Sequence, residues 1–411
     1  MWFKNRGVQG YIYLLLLTLA LSGCSNRFQP SAVNKAEAKE KIPSAPEADT
    51  PRTSVSRQGE WVMEGYNPQR ARATTEIILP PLVEAQEFAT GLNTQFGSPA
   101  GVAGGLLFME GDHSLHAFAL DSGQELWFFN LPGSYISPAI AGEHVFVRAE
   151  SGSEGYVVAL TVNSGLRLWQ FKFPIVGSAY GDFGGHVTSP VVVDDLVLVG
   201  ASKVFRALDA KKGQEVWTFK TEEPITSSAT VADGTVFFTD FNNLYAIDLK
   251  TGLERWHFAQ GEAALIFSPV VIDDQIIVTN EDTVQALNRH TGKVLWRKTI
   301  AARKLIPAGA VGDMVYVKSI NHLYALDRIS GETLWEFAAT DFVSLPAIAG
   351  DLIYLITRAK GMGQLRAISL VDGTEVWQAD NERLANAAPI VAGHQVYVRT
   401  VDGSILIYTE G

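Results

Sequence analysis

Ala246-Ile247-Asp248-Leu249-Lys250-Thr251-Gly252-Leu253-Glu254-Arg255-Trp256 reads as a strand, a tight turn on Gly252 and a second strand that opens with a large aromatic. The same spacing, six residues from Ala to Gly and four from Gly to Trp, occurs six more times. It is found at Ala117, Gly123 and Trp127, at Ala159, Gly165 and Trp169, and at Ala207, Gly213 and Trp217. It returns at Ala286, Gly292 and Trp296, at Ala325, Gly331 and Trp335, and at Ala367, Gly373 and Trp377. Successive glycines are 42, 48, 39, 40, 39 and 42 residues apart. A fixed period near 40 is the mark of a repeat architecture. Seven of the nine tryptophans fall in this one slot, so chance placement is excluded.

Each position has a physical role. Gly suits a turn that closes with a positive φ, which costs other residues about 1–2 kcal/mol. A short Gly-containing loop between two strands makes a hairpin. Trp at a constant offset predicts an apolar plate that each unit presents to the next. The small Ala predicts a crowded position.

Working outward, each unit opens with a Ser/Pro/Ala strand such as Ser137-Pro138-Ala139-Ile140-Ala141. A β-branched and aromatic strand follows, as at Val145-Phe146-Val147, and then the Ala and Trp strands. Helical periodicity is absent, and strands every 8–12 residues predict an all-β chain. Four strands per unit of about 40 residues make a propeller blade. Seven units carry the full signature. An eighth runs from Ala388-Pro389-Ile390 to Ser404-Ile405-Leu406-Ile407-Tyr408 and lacks a fourth strand. Leu82–Phe88 is an orphan strand that would fill the gap, with Val83 in the Trp slot. Pairing first and last strands removes two exposed sheet edges. The expected fold is an eight-bladed β-propeller of four-stranded antiparallel blades over residues 59–411, seven blades being the alternative. The lead-in Trp61 to Arg72 is expected on the outside of the body.

Hairpin parity separates two faces. Counting strands from the ring centre outward, the turns joining strands one to two and three to four lie on one face. The remaining connections lie on the other. The insertions Glu150–Gly155, Val176–Thr188 and Ala359–Gly363 all fall on the second, which is therefore the expected working surface. Tyr135, Tyr180, Asp182, Phe183, His186, Arg303, Lys304, Asp341, Phe342, Arg383 and Asn386 are its candidate binding residues, a mixture of aromatics and charges suited to recognition. The acidic pairs Asp194-Asp195 and Asp273-Asp274 belong to the opposite face as solvated turn acids.

The 411 residues carry a formal net charge of −11 and no basic run in the body, which argues against nucleic acid as a partner. Lys4 and Arg6 precede an apolar stretch, Tyr11 to Ala20, that is too short for a comfortable membrane span. It ends in Leu21-Ser22-Gly23-Cys24, which resembles the lipobox of bacterial lipoproteins. Cys24 is the only cysteine, so the domain has no internal disulfide. Residues 1–23 are expected to be a signal peptide, with Cys24 lipidated. Residues 24–58, poor in large apolar side chains, are expected to form a disordered tether reaching about 30 Å. Ser25 after the cysteine, rather than Asp, would permit sorting to the periplasmic face of an outer membrane; a single-membrane organism would place the protein at its surface.

The repeats, for instance Asn243-Leu244-Tyr245-Ala246-Ile247-Asp248 through Trp256, resemble those of the pyrroloquinoline-quinone propellers, the quinoprotein alcohol-dehydrogenase-like fold. Trp61, Met63 and Gly65 resemble that family's lead-in. The resemblance implies eight blades. The enzymes of this kind use adjacent cysteines, a calcium and an Asp base. The body has no cysteine, no match to those residues and no metal-spaced histidine cluster, so neither catalysis, metal nor cofactor is expected. Lipobox, tether and propeller together are similar to the propeller lipoproteins of the outer-membrane β-barrel assembly machinery, which are non-enzymatic scaffolds. That family's Leu-x-Leu-Arg partner segment has its nearest counterparts at Ala264-Leu265-Ile266-Phe267 and Arg303-Lys304-Leu305-Ile306, and both depart from it. The expected protein is a monomeric, membrane-anchored scaffold for an envelope protein partner. An assembly-machinery subunit in the strict sense is one alternative, and a quinone- or sugar-binding periplasmic protein or dehydrogenase is another.

Overall fold

A computed structural model describes residues 60–92, 100–131, 134–135, 138–176, 188–259 and 267–411. Among them every regular element is a β-strand, and the strands form eight sheets around a common axis. Blade 3 is representative, with strands Val191–Val193, Leu196–Ala201, Val204–Asp209 and Glu215–Lys220. All pair antiparallel in sequence order. The innermost strands of blades 1 to 8 are Gly101–Ala103, Ala139–Ala141, Val191–Val193, Thr230–Ala232, Val270–Ile272, Ile306–Val311, Ala347–Ala349 and Ile390–Ala392. Blade 8 is completed by Leu82–Phe88, which pairs antiparallel with Ile405–Glu410. The ring closes as expected, at eight blades.

The repeat residues make the inter-blade contact. The indole N–H of Trp127 donates to the Val162 carbonyl of the next blade at 2.8 Å. Trp169, Trp217, Trp256, Trp296 and Trp335 do the same to Ala210, Leu249, Arg289, Arg328 and Leu370, over 2.7–3.1 Å. The ring of each Trp lies over the turn glycine of that next blade: a Cβ on Gly252 would stand 2.7 Å from Trp217. The glycine is thus needed twice, for φ +68° and for the space. The seven repeat alanines, opposite these tryptophans, are fully buried. A register shift after each of them produces a bulge in the outer pair, for instance between Ala246 and Ile247. Trp377 has no such turn ahead of it, because the outer strand of blade 8 comes from the N-terminal side. It packs edge-on against Tyr408, 6.1 Å between ring centres.

Two expectations are corrected. Val83 does not occupy the Trp slot. The bulge register puts Gln86 opposite Ile407, where the other blades put Trp opposite Ala, and Val83 is 49 % exposed. Phe88 fills the space instead: a Cβ on Gly123 would meet its ring at 2.4 Å. The second correction concerns the lead-in. Residues 61–76 lie inside the ring, not outside it.

This inner strap touches the blades in order. Trp61 exchanges two backbone hydrogen bonds with Val102 of blade 1, at 2.7 and 2.9 Å. The carbonyls of Val62, Pro68, Gln69, Ala71 and Arg72 then accept from the N–H groups of Ile140, Val231, Val271, Ala310 and Ile348. These donors belong to the innermost strands of blades 2, 4, 5, 6 and 7. Ser189 of blade 3 donates to Glu64 at 2.7 Å, and Glu76 accepts from the His394 N–H of blade 8 at 2.8 Å. Trp61 runs antiparallel to the blade 1 strand and Ala73–Thr74 parallel to the blade 7 strand. Both ends of the strap therefore lie toward the turn face. The physical reason is satisfaction of buried polar groups. Innermost strands have no inner neighbour, so their inward N–H groups need acceptors once water is excluded.

Candidate functional site

The site is built on the loop face, where the second and third strands of each blade are joined and the fourth strand connects to the next blade. Its loops are fastened by side chains from the ends of second strands. The Arg148 guanidinium of blade 2 donates to the Thr188 carbonyl at 3.0 Å, and Thr279 Oγ1 of blade 5 to the Leu305 carbonyl at 2.7 Å. Lys318 Nζ of blade 6 donates to the Phe342 carbonyl at 2.7 Å, and Arg358 of blade 7 to the Leu384 carbonyl at 2.6 Å. Each acceptor lies in the connection leading into the next blade, so the loop face is held from one blade to the next.

Lys318 organises one part of this face. It is 8 % exposed, and burial pulls its amine down to about 8, with Asp341 opposing and Lys304 and Arg72 adding to the shift. Phe342 forms the floor. It packs edge-on against Phe337, 6.1 Å between centres, and is 4 % exposed. Its backbone N–H donates to Ile320 at 2.7 Å. Arg303 and Lys304 are exposed beside it, and neither pairs with a carboxylate among the described residues. Lys304 has φ +60°. The structure thus brings Lys304, Asp341 and Phe342 together around Lys318. It makes Phe342 a buried support rather than an exposed contact.

The other candidates are dispersed. Arg383 binds Glu87 and Asp402, and so clasps the N-terminal outer strand to the second-to-third-strand turn of blade 8. These two carboxylates raise the Arg383 pKa. Asn386 is exposed and accepts from Arg358 at 3.2 Å. Tyr135 belongs to the short strand Ser134–Tyr135, whose backbone pairs with the second strand of blade 2. Tyr180, Asp182, Phe183 and His186 lie outside the described residues, as do Cys24, the signal sequence and the tether.

Beneath the mouth of the loop face lies a charged cluster of the strap. Glu64 is 3.4 Å from Arg70 and 3.7 Å from Arg72, whose side chains are 5 % and 6 % exposed. Burial works to raise the Glu64 pKa, but the two guanidinium groups and the Ser189 hydroxyl outweigh it and hold it low. Burial pulls Arg72 down to about 10, with Glu64 opposing. Arg70 Nε also donates to the Ala229 carbonyl at 2.8 Å. A lead-in on the outside of the body would have left these three charges in solvent. The signal that could have found them is Gly309, a glycine inside an innermost strand: a Cβ there would stand 2.7 Å from the Ala71 carbonyl oxygen.

On the opposite face Asp273 and Asp274 are exposed turn residues as expected, but they are not merely solvated. Arg289 bridges Asp274 to Asp233 of blade 4, and Arg328 bridges Asp313 to Asp273 of blade 5, at 3.2 and 3.4 Å.

A family model described as outer membrane protein assembly factor BamB matches residues 84–204, 200–306 and 280–410. The chain is 23 % identical over 217 residues to the protein of that name from Shewanella oneidensis, covering 50 % of this chain and 54 % of the relative. It is 24 % identical over 356 residues to the one from Burkholderia pseudomallei, covering 79 % and 88 %. The chain spans about half the length, or less, of the first curated relatives it matches. Among solved structures, BamB from Moraxella catarrhalis superposes with a TM-score of 0.63 at 17 % identity, over 80 % of this chain and 98 % of the other. A europium-containing methanol dehydrogenase superposes with 0.67 at 14 %, over 85 % and 98 %. At these identities the two structures establish the fold alone.

Proposed function

We propose a function from one premise: the chain belongs to the family of the outer membrane protein assembly factor BamB. It acts as a non-enzymatic protein-binding scaffold in the cell envelope and serves the assembly of outer-membrane β-barrel proteins. Lipid on Cys24 anchors it, and residues 24–58 act as a tether. A partner docks on the loop face, where Arg303 and Lys304 stand exposed over the pinned Lys318–Phe342 floor and the chain carries its insertions. The observation that carries the reading is the family match from residue 84 to 410. Support for the non-enzymatic part is the strap, which places the chain's own backbone against the innermost strands of six blades, Glu64 against Ser189 of blade 3 and Glu76 against blade 8. A rigid scaffold with function grafted on its loops fits this arrangement.

Chemical crosslinking in intact envelopes, followed by purification of the lipidated protein, tests the proposal. Recovery of a β-barrel assembly protein, lost on Arg303→Glu with Lys304→Glu, supports it. Recovery of no protein partner removes it. The quinone-dependent dehydrogenase reading keeps one observation in its favour, 26 % identity over 141 residues to a quinoprotein ethanol dehydrogenase of Pseudomonas aeruginosa, covering 26 % of this chain and 22 % of that one. Dye reduction by the purified protein supplied with calcium and quinone separates that reading from the scaffold.

A further inference from the structure

The strap differs in kind from the blades around it. Each blade is a ladder of antiparallel strands, and the Trp plates bind blade to blade. The strap is joined to most blades by a single hydrogen bond, and its one strand, Ala73–Thr74, has two residues. Four of its residues take the left-handed conformation: Gly65 at +83°, Tyr66 at +74°, Arg70 at +56° and Arg72 at +54°. Three of these carry a side chain and are strained there. At its apex, the buried Nη2 of Arg70 has no hydrogen-bond partner among the described residues. Both ends lie toward the same face, so the segment can leave the channel without threading through the ring.

We propose that residues 61–76 are a separable strap, which withdraws from the central channel as one cooperative unit while the eight blades stay folded. Withdrawal uncovers the N–H groups of Val102, Ile140, Val231, Val271, Ala310 and Ile348, all of which donate to strap carbonyls when it is seated. The opened channel is then a ring of converging backbone donors. The occupant it fits is an extended peptide presenting carbonyls, which is the chemistry the strap itself supplies. Whether the strap is out or in also decides what enters the channel from the turn face. The proposal stands independently of the assembly role.

Hydrogen exchange of the full-length protein in detergent, followed by mass spectrometry, tests it. In unaltered protein, peptides covering 61–76 and the innermost strands should exchange together. They should do so with a weaker dependence on denaturant than the second and third strands, because a partial opening exposes less surface than global unfolding. Glu64→Gln removes the charge that holds Arg70 and Arg72, and Gly309→Ala pushes on the Ala71 carbonyl from the other side. Both substitutions should speed that exchange about tenfold or more and leave its weaker denaturant dependence in place. If strap and blades share one rate and one denaturant dependence in the unaltered protein, the strap is part of the global fold and the proposal fails. Exchange of the strap peptides left unchanged by both substitutions overturns it equally.

Discussion

At the scale of single residues, the turn glycines separate two costs. Gly252 has φ +68° and lies under Trp217; Gly234 has φ +69° and open space around the missing Cβ. Gly234→Ala should therefore cost only the backbone conformation, about 1 kcal/mol. Gly252→Ala should cost about 3 kcal/mol, because the indole of Trp217 must also move. Urea denaturation of the two variants measures the difference, and equal losses would show that the Trp contact adds nothing. Glu64 sets a pH dependence. Its folded pKa lies below the ordinary 4.5, so its stabilisation is present above that value and is lost as pH falls through the lower folded one. Glu64→Gln should lower stability by about 2–4 kcal/mol at neutral pH, by leaving two buried guanidinium groups uncompensated. The loss relative to the unaltered protein should shrink below about pH 4 in thermal melts, where protonation removes the same charge. The Ala, Gly and Trp pattern was legible in the sequence because each residue answers a local demand that seven units repeat at one spacing. Glu64, Arg70 and Arg72 were not, because their charge suggests a surface and their burial depends on a channel formed by residues far along the chain.

At the scale of the element, the outer strand Leu82–Phe88 shows how a repeat can be completed by a segment that lacks the repeat's own residues. It pairs with Ile405–Glu410 and seats Phe88 over Gly123. The expectation of Val83 in the Trp slot failed because that slot is defined after the bulge, and the bulge register is set by the partner strand. Arg383 holds this strand through Glu87. Arg383→Ala should raise hydrogen exchange across residues 82–88 and leave the outer strands of blades 3 to 5 unchanged. Equal protection before and after the substitution would show that backbone pairing alone retains the strand. Lys318 fastens the blade 7 loop with an amine whose pKa is depressed to about 8. A depressed lysine adds stability above its unfolded pKa and loses it as pH falls through about 8. Unaltered protein should therefore gain stability between about pH 8 and 10 relative to Lys318→Met. Melting curves at pH 7 and 10 read this directly.

At the scale of the whole molecule, the ring is a circle of neighbours, each blade bound mainly to the next. Six indole N–H bonds connect successive blades, and arginine bridges on the turn face join blades 4 to 6. The strap adds a second circuit on the inside. The proposed anchor belongs to this scale as well. Cys24→Ser should move the protein from the membrane fraction to the soluble one without changing its melting temperature, because the propeller begins beyond the tether. Membrane retention of that variant would show attachment by another route.

The sequence by itself determined the repeat, the blade count, the closing strand and the two faces. These follow from local demands, a positive φ, a two-residue alternation and a fixed loop parity, that each unit states for itself and repeats. Only the tertiary structure decided where the lead-in goes and which face residues are exposed. The path of residues 61–76 is dictated by inward N–H groups on strands from Val102 to Ile348, contributed by six blades at once. Phe342 is likewise buried by Phe337 and by its backbone bonds to Ile320 and Lys318. No window of sequence contains such a set of partners, because the closed ring brings them together only after every blade is in place.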